Sequence, residues 1–376
     1  MIICDKELCT GCGLCSSTCP VHCITMEEDE YGFLYPVINP DKCINCGKCK
    51  KRCPVITDIE SCYPLKSFAA WSLDLEDRET SSSGGVASVL ANQFIASGGV
   101  VYGCAYKDGE VKHIRVANVN DLHLLKGSKY TQSKITGIIP QICSDIRKGN
   151  KVLFFGTPCQ VATIQQIAPN EKIFNNLLVL VDVVCHGVPS QRMLKEHLLS
   201  VVGRNETVTD LRFRIGNEKL VYAKTERGKE YRGMIPKDAY ILGFEYALFL
   251  RPSCYKCKFA QPQRCGDITL GDYWGLGETF YSKEKVSLLM VNSDKGLEFF
   301  NECKSNLFLD ERKIEEGIKG NNALCTPAKK HPQYNIFHFL YPLSGYKSAV
   351  NMALLLQRFK IFLSRVYLAV SHTQSI

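Results

Sequence analysis

The chain has 376 residues, 45% of them hydrophobic and 22% charged, with 46 basic against 38 acidic side chains and a net charge of +8. That length exceeds one ordinary core and predicts two or three domains. No run of five or six basic residues marks a nucleic-acid arm, and no uncharged apolar run is long enough to span a bilayer, so neither nucleic acid nor a spanning role is expected.

Ten of the twenty cysteines fall within the first 53 residues. The opening Met1-Ile2-Ile3-Cys4-Asp5-Lys6 has neither the basic nor the apolar segment of a secretory leader. Reduced or metal-bound thiols in a cytoplasmic protein are therefore expected, and a disulfide scaffold is not.

The chain then repeats itself with a period of 34. Cys9-Thr-Gly-Cys12-Gly-Leu-Cys15-Ser-Ser-Thr-Cys19-Pro20 returns as Cys43-Ile-Asn-Cys46-Gly-Lys-Cys49-Lys-Lys-Arg-Cys53-Pro54. Each copy is the C-x2-C-x2-C-x3-C-P run of bacterial two-cluster ferredoxins, in which the fourth cysteine serves the other cluster. This predicts one 4Fe–4S cluster on Cys9, Cys12, Cys15 and Cys53, and a second on Cys43, Cys46, Cys49 and Cys19. Zinc is the rival reading, but zinc sites usually present two CxxC pairs rather than two four-cysteine runs closed by proline. Ile24 to Ile38 reads as a hairpin-like link. Cys4, Cys23 and Cys62 exceed the eight ligands and read as small buried side chains.

From about Lys66 the pattern becomes α/β. Ser81-Ser-Ser-Gly84-Gly85 opens an apolar-periodic helix through Val89, Leu90 and Phe94, and such a turn at a helix N-terminus suits phosphate. Gly99 to Ala105 reads as a buried strand. Lys151 to Gly156 is another, turning through Thr157-Pro158-Cys159-Gln160 into a helix. Leu177 to Val184 is a third, ending in Cys185-His186-Gly187. Loops at the carboxyl ends of strands are where open α/β sheets hold ligands. With Cys254-Tyr-Lys-Cys257 farther on, Cys159, Cys185, Cys254 and Cys257 form a candidate third cluster site, and Cys265 is a reserve ligand. The same CxxC also suits zinc with His186, or a redox dithiol.

Ser82-Ser83-Gly84-Gly85, Gly127 to Ser133, Gly156 to Gln160, Cys185 to Ser190, Ser253 to Cys257 and Asp267 to Gly275 occur together and in order. The chain thereby resembles the beta-subunit family of coenzyme F420 hydrogenases and dehydrogenases, preceded by a two-cluster ferredoxin module, over roughly residues 1 to 320. The resemblance implies an α+β ferredoxin-like module at 1–62 and an α/β flavin-binding body in two parts, 63–145 and 146–320. It also implies FAD, a further 4Fe–4S cluster, and an organic two-electron acceptor, a deazaflavin or another, with ferredoxin-fused relatives associated with surface-polysaccharide synthesis. Carried over by motif, the flavin contacts are Ser82, Ser83, Gly84, Gly85, Lys129, Tyr130, Thr157, Pro158 and Gln160, with Lys129 as the cation.

Residues 321–376 lie beyond the resemblance and form a helical extension. Ala349 to Val370 is strongly apolar, and Lys347, Asn351, Arg358 and Arg365 leave one narrow polar stripe. This reads either as a helix docked on the body or as a helix for a membrane surface or partner subunit. The expectation for the whole is an iron–sulfur flavoprotein oxidoreductase supplied by a redox partner protein, a ferredoxin or a catalytic subunit. The rival is a non-catalytic subunit that only wires a partner enzyme to ferredoxin.

Overall fold

The structure is a computed structural model that describes residues 2–167, 171–276 and 285–373, with the side chains of 365–373 outside that description. Arg365, the last residue of the polar stripe, is among those side chains.

The cysteine repeat folds as a small module. Each run ends in a single helical turn, Leu14–Ser17 and Lys48–Lys51, entered through a left-handed glycine, Gly13 or Gly47. Between the runs, β1 (Ile24–Glu28) and β2 (Leu34–Ile38) pair antiparallel. The Asp29 carboxylate fixes their turn by accepting from the backbone N–H groups of Tyr31 and Phe33.

The body is built on one eight-stranded sheet. Its strands are β3 (Lys66–Ser72), β4 (Val100–Lys107), β5 (Glu110–Val116), β6 (Val152–Gly156), β7 (Leu178–Val183), β11 (Ile268–Asp272), β12 (Ser287–Val291) and β13 (Leu307–Arg312), in the order β13-β3-β12-β11-β7-β6-β4-β5. The four central strands β11, β7, β6 and β4 are parallel, and antiparallel strands close both edges. Strands from either side of residue 146 interleave here, so 63–145 and 146–320 share one sheet and one core. Side chains alternate across it with period two. Val101 and Leu153 face the helices Val86–Ala96 and Asp294–Cys303, while Val100, Tyr102, Val152 and Phe154 face Ile139–Arg147 and Pro158–Gln165. Both faces are covered, as a parallel sheet requires.

A second sheet, β8 (Val208–Ile215), β9 (Glu218–Thr225) and β10 (Glu230–Met234), is an antiparallel meander. Its apolar face packs on the helices Gln191–Val202 and Ala239–Glu245 and on the carboxy-terminal helix. That last helix, Tyr334–Thr373, is broken at Gly345, where φ is 73°. Its inner side buries Phe337, Tyr341, Ala349, Val350, Ala353 and Leu354, so it is docked on the body.

One expectation is corrected. Cys62 is exposed, not buried; its backbone pairs in both directions with Arg264 and ties the linker to the body.

Candidate functional site

The module does not hang free from the body. Arg251, 1% exposed, donates from Nε to the Cys9 carbonyl at 2.7 Å, from Nη2 to the Leu34 carbonyl at 2.8 Å, and from Nη1 to Gln132 Oε1 at 3.1 Å. Gln132 Nε2 in turn donates to the Thr10 carbonyl at 2.8 Å. The Arg251 guanidinium also lies 4.5 Å from the Tyr35 ring centre. A Cβ at Gly11 would stand 2.7 Å from Arg251 Nη1 and 2.8 Å from the Leu34 carbonyl, and one at Gly13 would stand 2.7 Å from Thr136 Oγ1, whereas one at Gly47, the counterpart of Gly13, would meet nothing within 4 Å. This explains a difference between the repeats. Gly11 (φ 65°) and its counterpart Asn45 (φ 53°) share the left-handed conformation, but the first copy packs on the body, so at Gly11 the side chain must be absent while Asn45 can carry one.

Within the module the thiols gather in two sets. Cys9, Cys12, Cys15 and Cys53 lie close enough to act on one another's ionisation. Cys19, Cys43, Cys46 and Cys49 line one small cavity, so each set takes three cysteines from one run and one from the other. Each set also has a fifth thiol that the repeat does not mark. Cys4 joins Cys9 and Cys53. Cys23 sits 3.4 Å, sulfur to sulfur, from Cys19. Neither recurs at the period of 34, so the pattern that finds the eight cannot find these two. The second set is the outer one, with Cys46 exposed and Cys43 half-buried.

In the body, Cys159 opens the helix Pro158–Gln165 after β6, Cys185 follows β7, and Cys254 and Cys257 flank a 3-10 turn at Pro252–Lys256. The fold brings these four thiols together. Burial, with the neighbouring thiols adding to it, pushes Cys159 and Cys254 up to about 12 and Cys185 well above its ordinary value. Burial and mutual repulsion favour the neutral thiols here, and a bound cation or cluster would favour their ionised form. Among the described residues, no group of three His, Cys, Asp or Glu side chains is arranged to hold a metal ion. His186 brings its Nε2 to the Phe244 carbonyl at 3.2 Å. Cys265 lies near Cys159 but donates to the Pro158 carbonyl at 3.2 Å and faces Asp182. Cys159 also feels Cys12, and both pack in the same apolar cluster, so the body set adjoins the inner set of the module.

The segment carrying the CxxC is held by a buried ion pair. Arg264 and Asp182 are 1% and 0% exposed and meet at 2.6 Å, with Gly266 N and Thr269 Oγ1 also donating to Asp182. Asp267, from the last motif, accepts from Leu180 N and Ser293 Oγ. These acidic residues brace the loop against β7.

The expected flavin contacts divide. Ser82 Oγ accepts from Ser128 N at 2.7 Å, which joins the two loops at the start of the helix Val86–Ala96. Ser83 donates to the Val286 carbonyl and Gly84 N to Ser287 Oγ. A Cβ at Gly84 would lie 2.5 Å from the Ala70 carbonyl, so this glycine permits close packing on β3. Lys129 is turned to its own chain, donating to the carbonyls of Leu125 and Lys126, and burial lowers its pKa. Thr157 and Gln160 form a reciprocal cap, and Gln160 also donates to Ser133; Pro158 is buried at the first turn. Tyr130 stacks on Phe244 at 4.6 Å, and Phe244 meets His186 edge-on at 5.3 Å, one residue from Cys185. A cation that the motifs do not mark is also present. Arg214 Nη1 pairs with Asp272 at 3.0 Å and reaches the Tyr130 hydroxyl at 3.5 Å, while its buried Nε has no hydrogen-bond partner among the described residues. An unpaired guanidinium N–H inside a protein is costly and suits a site for an anion. The residues thus fit an anionic group at the Ser82, Tyr130 and Arg214 end of the sheet, while the Thr157, Pro158 and Gln160 contacts are explained by the cap.

Comparison with known proteins bears on the same regions. Residues 149–317 match the family model for the C terminus of the coenzyme F420 hydrogenase/dehydrogenase beta subunit. Residues 8–56 match a 4Fe-4S dicluster domain, and a second model of that description matches 35–112. Among solved structures, a chain of the F420-reducing NiFe hydrogenase complex from Methanosarcina barkeri is 17% identical, with a TM-score of 0.49 over 69% of this chain and 85% of that one. No curated protein matches.

Proposed function

From the match of residues 149–317 to the coenzyme F420 hydrogenase/dehydrogenase beta-subunit model and of residues 8–56 to a 4Fe–4S dicluster domain, we propose that the chain is an iron–sulfur flavoprotein oxidoreductase. The module would receive electrons and the body would hold a flavin that passes them to a two-electron acceptor. The observation that carries this reading is continuity. The outer thiol set, the inner set on Cys9, Cys12, Cys15 and Cys53, the body set on Cys159, Cys185, Cys254 and Cys257, and the Tyr130–Arg214 site follow one another through the molecule. When bound, iron–sulfur clusters pass single electrons and a flavin pairs them for delivery as a hydride equivalent.

The residues have distinct roles in this scheme. The exposed Cys46 edge meets the redox partner protein. Cys19 and Cys53 each bridge the two runs. Arg251 sets a fixed positive charge between the inner set and the body set, and its hydrogen bonds hold the gap constant. Tyr130 and Arg214 would hold a bound flavin, Arg214 supplying charge to its anionic part and the helix N-terminus at Gly85 its dipole. Lys129, committed to two carbonyls, shapes the loop. The acceptor is an organic molecule such as a deazaflavin.

The test is anaerobic purification with iron analysis, a visible spectrum and extraction of flavin. About twelve irons, three cubanes at four each, with FAD supports the reading. About eight irons without flavin overturns the body site and leaves the wiring role. Arg214→Gln should release FAD on dilution roughly tenfold more readily than wild type, the scale of a charge-assisted hydrogen bond, while Lys129→Gln changes release less. The reverse order returns the anion contact to Lys129.

A further inference from the structure

The carboxy-terminal helix has a second apolar side that the body does not cover. Beyond the break at Gly345, Met352, Leu355, Leu356, Phe359, Phe362 and Leu363 are between 48% and 66% exposed. Their spacing of i, i+3, i+4, i+7, i+10 and i+11 is one face of a helix. The opposite face, Ala349, Val350, Ala353 and Leu354, is buried against the body. Arg358 strengthens that docking by donating to the carbonyls of Pro236 and Lys237. The outer face is therefore held at a fixed orientation.

Charge decides what covers it. After Glu316 the sequence contains no Asp or Glu, and it contains seven Lys and Arg residues. These last sixty residues thus supply seven of the eight net positive charges of the whole chain. In helical projection, Lys360 borders the exposed apolar face on one side and Lys347 on the other. A self-pairing helix would set these positive charges against their own copies, and that repulsion argues against a second copy of the chain. An apolar face flanked by lysines matches the boundary of an anionic bilayer, where rings and aliphatic chains sink to the acyl region and the ammonium groups meet lipid phosphates. No helix among the described residues is long and apolar enough to cross a membrane.

We propose that this helix docks the protein on an anionic lipid surface, lying in the plane of the interface with Phe359 and Phe362 inserted. The proposal is independent of the flavin and cluster assignments, since no residue is shared with them.

The test uses the full-length, cluster-loaded protein, sedimented with vesicles of phosphatidylcholine alone or mixed with phosphatidylglycerol. Binding to the mixed vesicles that high salt weakens is expected. F359Q/F362Q should reduce that binding at least about tenfold, and K347Q/K360Q roughly thirtyfold, from the usual contribution of a lysine near an anionic surface. Because these side chains are exposed, both variants should keep the visible spectrum and circular dichroism of wild type. No binding to mixed vesicles, equal binding to neutral ones, or binding unchanged in F359Q/F362Q overturns the proposal. So does a concentration-dependent dimer in sedimentation velocity that F359Q/F362Q abolishes, because it assigns the face to a second copy.

Discussion

Arg251 Nε donates to the carbonyl of Cys9 at 2.7 Å, across 242 residues of sequence. An arginine of the body thus completes the hydrogen bonding of the loop that begins the first thiol set. The same guanidinium lies in the field of Cys159 and Cys254, so one buried charge faces both sides of the join.

Replacing Arg251 with Gln should make the adjacent module cluster harder to reduce, because a positive charge stabilises the added electron. For a unit charge on the order of 8 Å from the cluster at an effective dielectric of about 20, the change is on the order of 50–100 mV toward negative potential. Anaerobic redox titration followed by electron paramagnetic resonance measures it. An unchanged potential would show that Arg251 acts only as a clamp.

The thiol assignments separate by iron content. Cys159→Ala and Cys257→Ala should each lose about four irons, one cubane, while Cys265→Ser retains them because its sulfur is bonded to the Pro158 carbonyl. Cys53→Ala should empty the set containing Cys9. If Cys265→Ser loses iron and Cys257→Ala does not, the body ligand set is wrong. Cys19→Ala is the informative exception, since Cys23 sits 3.4 Å away and offers a substitute ligand. The double variant with Cys23→Ala should then lose iron that the single variant keeps.

Removing one partner of the Arg264–Asp182 pair leaves a charge stranded at almost zero exposure. Arg264→Ala should cost about 3–5 kcal/mol, read as a fall in the denaturation midpoint, and should release the body iron before the module iron. A loss under about 1 kcal/mol would mean that water reaches Asp182 in the variant.

His113 provides a pH test. Burial holds it at about 4, well below its ordinary 6.5, with Lys129 nearby adding to the effect. Its Nε2 meets the Phe155 carbonyl at 2.8 Å and so carries the proton, leaving Nδ1 to accept from Ser133 Oγ at 2.6 Å. Between pH 6.5 and 4 the unfolded chain binds a proton that the folded chain refuses. Stability therefore falls as pH drops through that window and levels off below it, by about 3 kcal/mol in all. Thermal midpoints from pH 7.5 to 5 should slope less for His113→Gln than for wild type. Parallel slopes would assign the acid sensitivity elsewhere.

Much of this architecture is written in local pattern. The period of 34 locates both thiol runs. Continuous apolar runs mark β6 and β7, and the glycine before Val86 marks a helix start. Those signals depend on neighbours in sequence. Arg251, Gln132 and Arg214 depend on neighbours in space; each is a single polar residue with no periodicity, and only the docked module or the second sheet shows why it is there. The small sheet has a signal of its own, the alternation from Val208 to Ile215, but it is faint beside the cysteine pattern. Lys129 is legible as a cation while its direction is not, because a flexible side chain goes to the nearest carbonyls the fold supplies.

The clamp at Gly11 has a kinetic consequence. Many redox proteins carry their clusters on a tethered domain that swings between donor and acceptor, and each turnover then waits on diffusion through solvent. Arg251 fills the space a side chain at Gly11 would need and Gln132 grips the next carbonyl, so the join is packed and hydrogen-bonded. If clusters occupy both thiol sets as proposed, transfer between them would cross a packed join, and its rate would be set by tunnelling and driving force, with little dependence on the viscosity of the medium.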